Sequence, residues 1–167
     1  KDYKPASIHR VPVTTVAKAR HPAIDMHSHP WAKTPEDVDR WVKVMDEVGV
    51  EKTVLLTGAH AAEFDRLVES YSRHPTRFQL WCGFDYTGHD QPRPAPPAGA
   101  ELGRCVRKGA KGVGEEGDKG LGMGFGKARG LHFDDARLAP LLDRCADLGI
   151  PVNIHVAGPI WMYQKMD

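Results

Sequence analysis

The chain has 167 residues, with 23 lysines and arginines against 22 aspartates and glutamates, so its formal net charge is +1. This length can bury a core and is typical of one domain. The balanced charge, without a basic stripe, argues against a nucleic-acid partner, and no apolar stretch approaches the ~18 residues of a membrane span. The composition predicts a soluble globular protein with neither nucleic acid nor membrane as its partner.

The three cysteines are widely spaced and form no Cys-x-x-Cys pair. Cys82, Cys105 and Cys145 each fall within an apolar pattern, which predicts buried, reduced thiols and no disulfide framework. The chain starts at a lysine, so a removed leader is compatible with the sequence. The compartment therefore stays open, with the cytoplasm slightly favoured over export.

The first elements are predicted in chain order from prolines and apolar spacing. Residues 1–22 contain three prolines and little periodicity, which predicts an extended arm in front of a domain over residues 23–167. Residues 23–27 predict a short buried strand. A helix should follow, with Thr34 as its N-cap, Pro35 at its first position and Gly49 at its end.

The same alternation continues to the end of the chain. Further helices are predicted around residues 64–71, 102–106 and 138–148, and further strands over residues 52–57, 78–84, 110–114 and 152–155. Strands that are apolar on both faces and alternate with helices indicate a parallel sheet covered by helices. A (β/α)8 barrel takes ~250 residues. We therefore expect an α/β fold that is the N-terminal five-strand portion of such a barrel, cut rather than complete. The alternative is an open parallel α/β sheet.

The clearest chemical signal is the sequence Asp-x-His-x-His near the first strand. Side chains two apart on a strand point the same way, so His27 and His29 can present two imidazoles to one side. His155 ends the fifth predicted strand. In parallel α/β folds the carboxyl ends of the strands line the ligand site. The three histidines therefore predict a divalent-metal site.

Carboxylates flank these histidines. Asp25 should point the same way as His27 but deeper in the sheet, where it would orient a ligand or partner a backbone group. Glu115 and Glu116 follow the fourth predicted strand, where a carboxylate could bind or bridge a metal. Glu115 is the stronger candidate because it is nearer the strand, and the alternative is a solvated loop pair.

Weaker candidates lie on the same rim. His60 follows the second predicted strand and Asp85 the third, so both could contact substrate, with loop packing as the alternative. The glycine-rich residues 120–126 fit neither the dinucleotide fingerprint nor a P-loop. They predict a flexible loop near the metal site.

These residues resemble the amidohydrolase superfamily, in particular its amidohydrolase-related branch, which includes aminocarboxymuconate-semialdehyde decarboxylase. The similarity is carried by Ile-Asp-Met-His-Ser-His at residues 24–29 and Leu-Gly-Ile-Pro-Val-Asn-Ile-His at residues 148–155. Residues 110–115 and 134–141 also look familial. The resemblance runs from about residue 22 to the end of the chain.

The resemblance implies a (β/α)8 barrel in which His27, His29 and His155 hold a zinc-like ion. Other branches use a glutamate or a carboxylated lysine on strand four, and Glu115 would match the glutamate. The family also uses a histidine after strand six and an aspartate after strand eight, which this chain does not reach. Its catalytic residues are therefore unknown.

The leading functional hypothesis is a metal-dependent hydrolase, in which metal-activated water attacks an ester, amide or similar bond of a small molecule. The alternatives are a non-oxidative decarboxylase of an aromatic or unsaturated acid and a catalytically incomplete metal-binding fragment. Zinc is the expected ion, with manganese, iron and nickel as alternatives. A homo-oligomer is left open.

Overall fold

A computed structural model describes residues 6, 9–12, 14–90, 96–116 and 128–155, without the side chains of residues 96 and 97. The described residues form an α/β fold with strands and helices in alternation. The strands are β1 (Ala23–Ser28), β2 (Val50–Leu56), β3 (Phe78–Trp81), β4 (Val113–Glu116) and β5 (Val152–Ile154). The helices are α1 (Pro35–Val48), α2 (Ala61–Tyr71), α3 (Pro96–Arg107) and α4 (Ala139–Leu148), with a 3₁₀ turn at Ala136–Leu138 before α4.

Helix α1 begins and ends where its sequence predicts. The Thr34 hydroxyl accepts the Asp37 N–H at 3.2 Å, and the Asp37 carboxylate accepts the Thr34 N–H at 3.2 Å. This reciprocal pair satisfies two N–H groups that the first turn would otherwise leave unpaired. Gly49 ends the helix at φ +83°, a conformation that favours glycine. The helix buries Val38, Val42 and Met45.

All strand pairs are parallel, and the strands follow one another in chain order. Strand β2 lies between β1 and β3, and β4 pairs with β5. A parallel bridge between Cys82 and Val113 connects β3 to β4. An open flavodoxin-like sheet would reverse its strand order at a switch point. The sequential order instead confirms the prediction of a five-strand portion of a (β/α)8 barrel.

Two apolar clusters lie between the sheet and the helices. The first packs α1 and α2 against β2 and β3, with Leu55, Tyr71 and Phe78 among its buried residues. The second packs α3 and α4 against the end of β3 and against β4. All three cysteines are buried free thiols in the second cluster, as predicted.

Strand β1 is not buried, and this prediction was wrong. Ile24 is 53% exposed and Met26 is 61% exposed. Within the described part of the chain β1 pairs only with β2, so it is an edge strand. The apolar pattern predicted burial on both faces, but an edge position leaves much of that apolar surface uncovered.

Several boundaries differ from those predicted. Strand β3 ends at Trp81, three residues before the predicted end, because beyond the bridge at Cys82 the chain leaves the sheet. Strand β4 begins at Val113 and contains Glu115 and Glu116, which the sequence analysis placed after the strand. The backbone N–H of Val113 donates to Pro151 O at 2.9 Å, so pairing with the β5 segment sets where β4 begins.

Part of the N-terminal arm contacts the end of α1. In the arm, Ala19 donates its backbone N–H to Val48 O at 2.8 Å, which fixes this part of the arm at the end of α1. The loop predicted at residues 120–126 lies outside the described residues.

Among the helices that the structure describes, none combines the length and apolar character needed to cross a bilayer.

Candidate metal centre

His27 and His29 lie at the carboxyl end of β1 and face a carboxylate from β4. The Nε2 atoms of His27 and His29 lie 3.3 and 3.6 Å from Glu115 Oε2. The two imidazole rings meet edge to face with centroids 5.5 Å apart. The strand end therefore presents both Nε2 atoms to one point, as the His-x-His spacing predicts.

The ring of His29 is fixed from its other side. Its Nδ1 lies 2.9 Å from Leu56 O, the backbone carbonyl at the end of β2. Since a carbonyl only accepts, Nδ1 carries the proton and donates it in this bond. In the neutral ring with this tautomer Nε2 carries the lone pair, and it lies 3.6 Å from Glu115 Oε2. A backbone acceptor behind a histidine ring is the usual way in which a metal-binding imidazole is oriented.

Glu115 connects these histidines to His155. Its side chain is buried, with 8% of the residue exposed. Oε1 of the carboxylate lies 2.6 Å from His155 Nδ1, while Oε2 faces His27 and His29. Strands β1 and β5 are at opposite edges of the described sheet. Because one carboxylate contacts histidines from both, the sheet must curve as a barrel does.

The potential ligand atoms of His27, His29 and Glu115 all lie within 4.8 Å of one another. Donors bound tetrahedrally to zinc at about 2.0–2.1 Å are roughly 3.3 Å apart. The distances between these Nε2 and Oε2 atoms are thus close to those around a bound ion, and imidazole with carboxylate suits several divalent metals. His155 lies outside this group and contacts it through Glu115.

Asp25 acts locally on the backbone of His27. Its Oδ1 accepts the His27 N–H at 3.1 Å. The sequence predicts that Asp25 either orients a ligand or partners a backbone group. This hydrogen bond to the backbone fits the second role. The bond steadies the segment that carries both imidazoles.

The structure does not bring His60 and Asp85 into the group of ligand atoms. His60 is the N-cap residue of α2, and its buried Nδ1 has no hydrogen-bond partner within the described ranges. Asp85 accepts the Thr87 N–H at 3.0 Å and so caps its own loop. Their predicted contact with substrate stays a prediction.

The buried Glu116 and the half-buried Tyr86 form a pair beside the centre that the sequence does not predict. Glu116 is 4% exposed, and its carboxylate accepts the Tyr86 hydroxyl at 2.6 Å and the Phe84 N–H at 3.3 Å. Burial raises the pKa of the Glu116 carboxyl to about 7, although both hydrogen bonds act in the opposite direction. The Glu-Glu pair was the only sequence signal, and nothing in the sequence singled out Tyr86.

Trp31 is a second residue that the sequence did not single out. Its ring meets that of His29 edge to face, with centroids 5.6 Å apart. Its backbone N–H donates to His29 O at 2.8 Å. The turn through Pro30 therefore holds an aromatic side chain beside the imidazole.

No protein-family model matches the chain, and no curated protein matches it. Solved structures do. A 2,6-dihydroxybenzoate decarboxylase in complex with 2,6-dihydroxybenzoate is 20% identical, with a TM-score of 0.59 over 83% of this chain and 52% of that one. The chain shares the fold of that enzyme.

Two further solved structures agree. A protein from Staphylococcus aureus described as an amidohydrolase is 18% identical, with a TM-score of 0.57 over 81% of this chain and 48% of that one. A dihydroxybenzoic acid decarboxylase from a Polaromonas species, with bound manganese and the inhibitor 2-nitroresorcinol, is 21% identical. Its TM-score is 0.57 over 83% of this chain and 50% of that one.

These likenesses confirm the predicted resemblance at the level of the fold. The chain spans about half the length of the solved proteins that it matches.

Proposed function

We propose that His27, His29 and Glu115 hold a divalent metal ion and that His155 belongs to the same centre. The observation that carries the proposal is the position of Glu115 Oε2, 3.3 and 3.6 Å from the Nε2 atoms of His27 and His29. Two neutral imidazoles and one carboxylate suit zinc, with manganese, iron and nickel as alternatives.

The chain's own residues prepare the site before any ion binds. Leu56 O sets the tautomer of His29, and Asp25 holds the backbone at His27. The buried Glu115 supplies a negative charge that favours a cation. His155 is about half exposed, so the centre is open to a small molecule on that side. A bound ion would polarise a substrate oxygen and lower the pKa of water.

On this basis we propose a metal-dependent hydrolase of the amidohydrolase superfamily that acts on an ester, amide or similar bond of a small molecule. The chain covers only part of a barrel, so this activity is proposed for the whole protein. The fold, the metal-compatible cluster and a similar structure described as an amidohydrolase support it.

The second candidate is a non-oxidative decarboxylase of an aromatic or unsaturated acid. The observation that favours it is that two of the similar solved structures are dihydroxybenzoate decarboxylases. In that case the ion would hold the substrate carboxylate or hydroxyl. The third candidate is a metal-binding protein without activity.

Metal content tests the centre. The purified chain should bind one equivalent of zinc, measured by mass spectrometry after dialysis, and His27→Ala/His29→Ala should bind less than a tenth of that. A matched control is His9→Ala/His21→Ala, which removes two exposed histidines of the arm. Equal zinc in both double variants would reject the proposed site.

Product analysis separates the reactions. The zinc- or manganese-loaded protein is incubated with 2,6-dihydroxybenzoate and, separately, with an aryl ester in ¹⁸O water. Carbon dioxide release supports the decarboxylase, and ¹⁸O in the acid product supports the hydrolase. Activity that persists in His27→Ala/His29→Ala would contradict both. Metal binding without either product would favour the third candidate.

A further inference from the structure

The carboxylate of Glu116 extends the pairing between two strands beyond the point where their backbones separate. The last backbone bond between the β3 and β4 segments is Gly114 N–H to Cys82 O at 2.8 Å. Two residues further along each segment, the Glu116 side chain accepts the Phe84 N–H. It also accepts the Tyr86 hydroxyl at 2.6 Å. The chain after β3 is thus fastened to the end of β4 by a side chain.

The backbone of the same residue fixes the end of β5. Glu116 O accepts the His155 N–H at 3.0 Å. Glu116 therefore bonds the β3 segment through its side chain and the β5 segment through its main chain. Glu115, the preceding residue in the sequence, places its carboxylate on His155 Nδ1 and beside His27 and His29.

These contacts constrain how Glu115 can move. A rotation of the Glu115 main chain would carry Glu116 with it and break the bond to Tyr86, the bond to His155 or both. A carboxylate buried to 4% exposure is costly to leave without its donors. If the Tyr86 hydroxyl is removed, the Glu115–Glu116 segment should therefore move, because the Glu116 carboxylate has lost a donor.

We infer that Glu116 and Tyr86 are positioning residues that hold Glu115 and His155 in the geometry of the metal centre. The inference rests on the proposed centre and extends it to two residues that are not placed among the metal ligands. Groups that orient ligands in this way typically contribute 10–100-fold to metal affinity.

The test uses Tyr86→Phe, which removes one oxygen, and Glu116→Gln, which keeps the size of the side chain. The matched control is Glu101→Gln. Glu101 is a carboxylate in α3 that is hydrogen bonded to Arg104 and the Ala61 N–H, so its loss weakens packing between α2 and α3. We expect the Kd for zinc, measured against a competing chelator, to rise at least tenfold in Tyr86→Phe and Glu116→Gln and to stay unchanged in Glu101→Gln.

A metal-free measurement keeps the inference separate from the proposed function. In ¹⁵N-histidine-labelled protein, the Nδ1 resonance of His155, assigned with His155→Gln, reports its bond to Glu115. It should shift in Tyr86→Phe and Glu116→Gln but not in Glu101→Gln. Should the parent bind no zinc, the proposed function fails, and this resonance alone decides the positioning role. The inference is overturned if the His155 Nδ1 resonance in both variants is the same as in the parent. Where the parent binds zinc, the zinc affinity of both variants must also be the same as that of the parent.

Discussion

His155 and Glu115 form a hydrogen bond of 2.6 Å between Nδ1 and Oε1, which joins the ends of the neighbouring strands β5 and β4. The second oxygen of the same carboxylate faces the histidines at the end of β1. The carboxylate thus lies between the first and the last described strand of the sheet. This one carboxylate contacts histidines that lie far apart in the sequence.

Replacement of Glu115 should weaken metal binding most directly. In Glu115→Gln a neutral amide replaces the carboxylate whose Oε2 faces both Nε2 atoms, so we expect zinc affinity to fall at least tenfold. Glu47→Gln is the control because Glu47 is exposed on α1. Chelator competition measures both variants, and parental affinity in Glu115→Gln would exclude this carboxylate as a ligand.

His155→Ala should have a different effect. The ligand atoms of His27, His29 and Glu115 already lie within 4.8 Å of one another, so the variant should still bind one zinc ion. Its affinity should fall about 10–100-fold because Glu115 loses the group that orients it. Titration calorimetry gives both quantities. A complete loss of stoichiometric binding would make His155 an indispensable ligand.

Two glycine-to-alanine variants test how closely other atoms pack against the backbone at these two positions. A Cβ on Gly83 would lie 2.1 Å from Gly58 O, so Gly83→Ala should cost about 2–3 kcal/mol of unfolding free energy or more. A Cβ on Gly99 in α3 meets nothing within 4 Å, so Gly99→Ala should stabilise by roughly 0.5–1 kcal/mol. Urea unfolding followed by circular dichroism measures both. Equal stability in the two variants would contradict this packing.

The pH dependence of stability should reveal Glu101. Its hydrogen bonds with the Arg104 guanidinium lower the pKa of this carboxyl from 4.5 to about 2, and only 17% of the side chain is exposed. A lowered folded-state pKa stabilises fully above about pH 4.5, and the contribution is lost as the pH falls toward 2. At about 1.4 kcal/mol per pKa unit this fall in pKa sets an upper bound of roughly 3.5 kcal/mol, and solvent screening of the part-exposed ion pair reduces the contribution below that bound.

Glu101→Gln should therefore be less stable than the parent at pH 7, and this difference should shrink as the pH falls from 4.5 to 2. Urea unfolding at several pH values measures the difference. The exposed Glu47→Gln serves again as the control. A difference that does not change with pH would show that the Arg104 pair does not govern it.

Much of the fold followed from local sequence signals. The cap at Thr34 and the helix end at Gly49 are set within a few residues of chain, and the structure has them where the sequence predicts. The burial of β1 could not be predicted, because Ile24 and Met26 give the pattern of a covered strand whether or not a neighbour is present.

Only the part of the site that depends on local sequence could be predicted. The spacing of His27 and His29 is local, and so is their common direction. The bond between Glu115 and His155 depends on how β4 pairs with β5, which no local pattern encodes. The role of Tyr86 depends on a contact with Glu116 across 30 residues, which is why the sequence analysis missed it.

The most direct test of the metal centre is anomalous X-ray scattering at the zinc edge from crystals of the zinc-loaded protein. We expect one strong peak within about 2.0–2.2 Å of His27 Nε2, His29 Nε2 and a Glu115 oxygen. A peak bound elsewhere on the protein, with these three side chains free of metal, would contradict it.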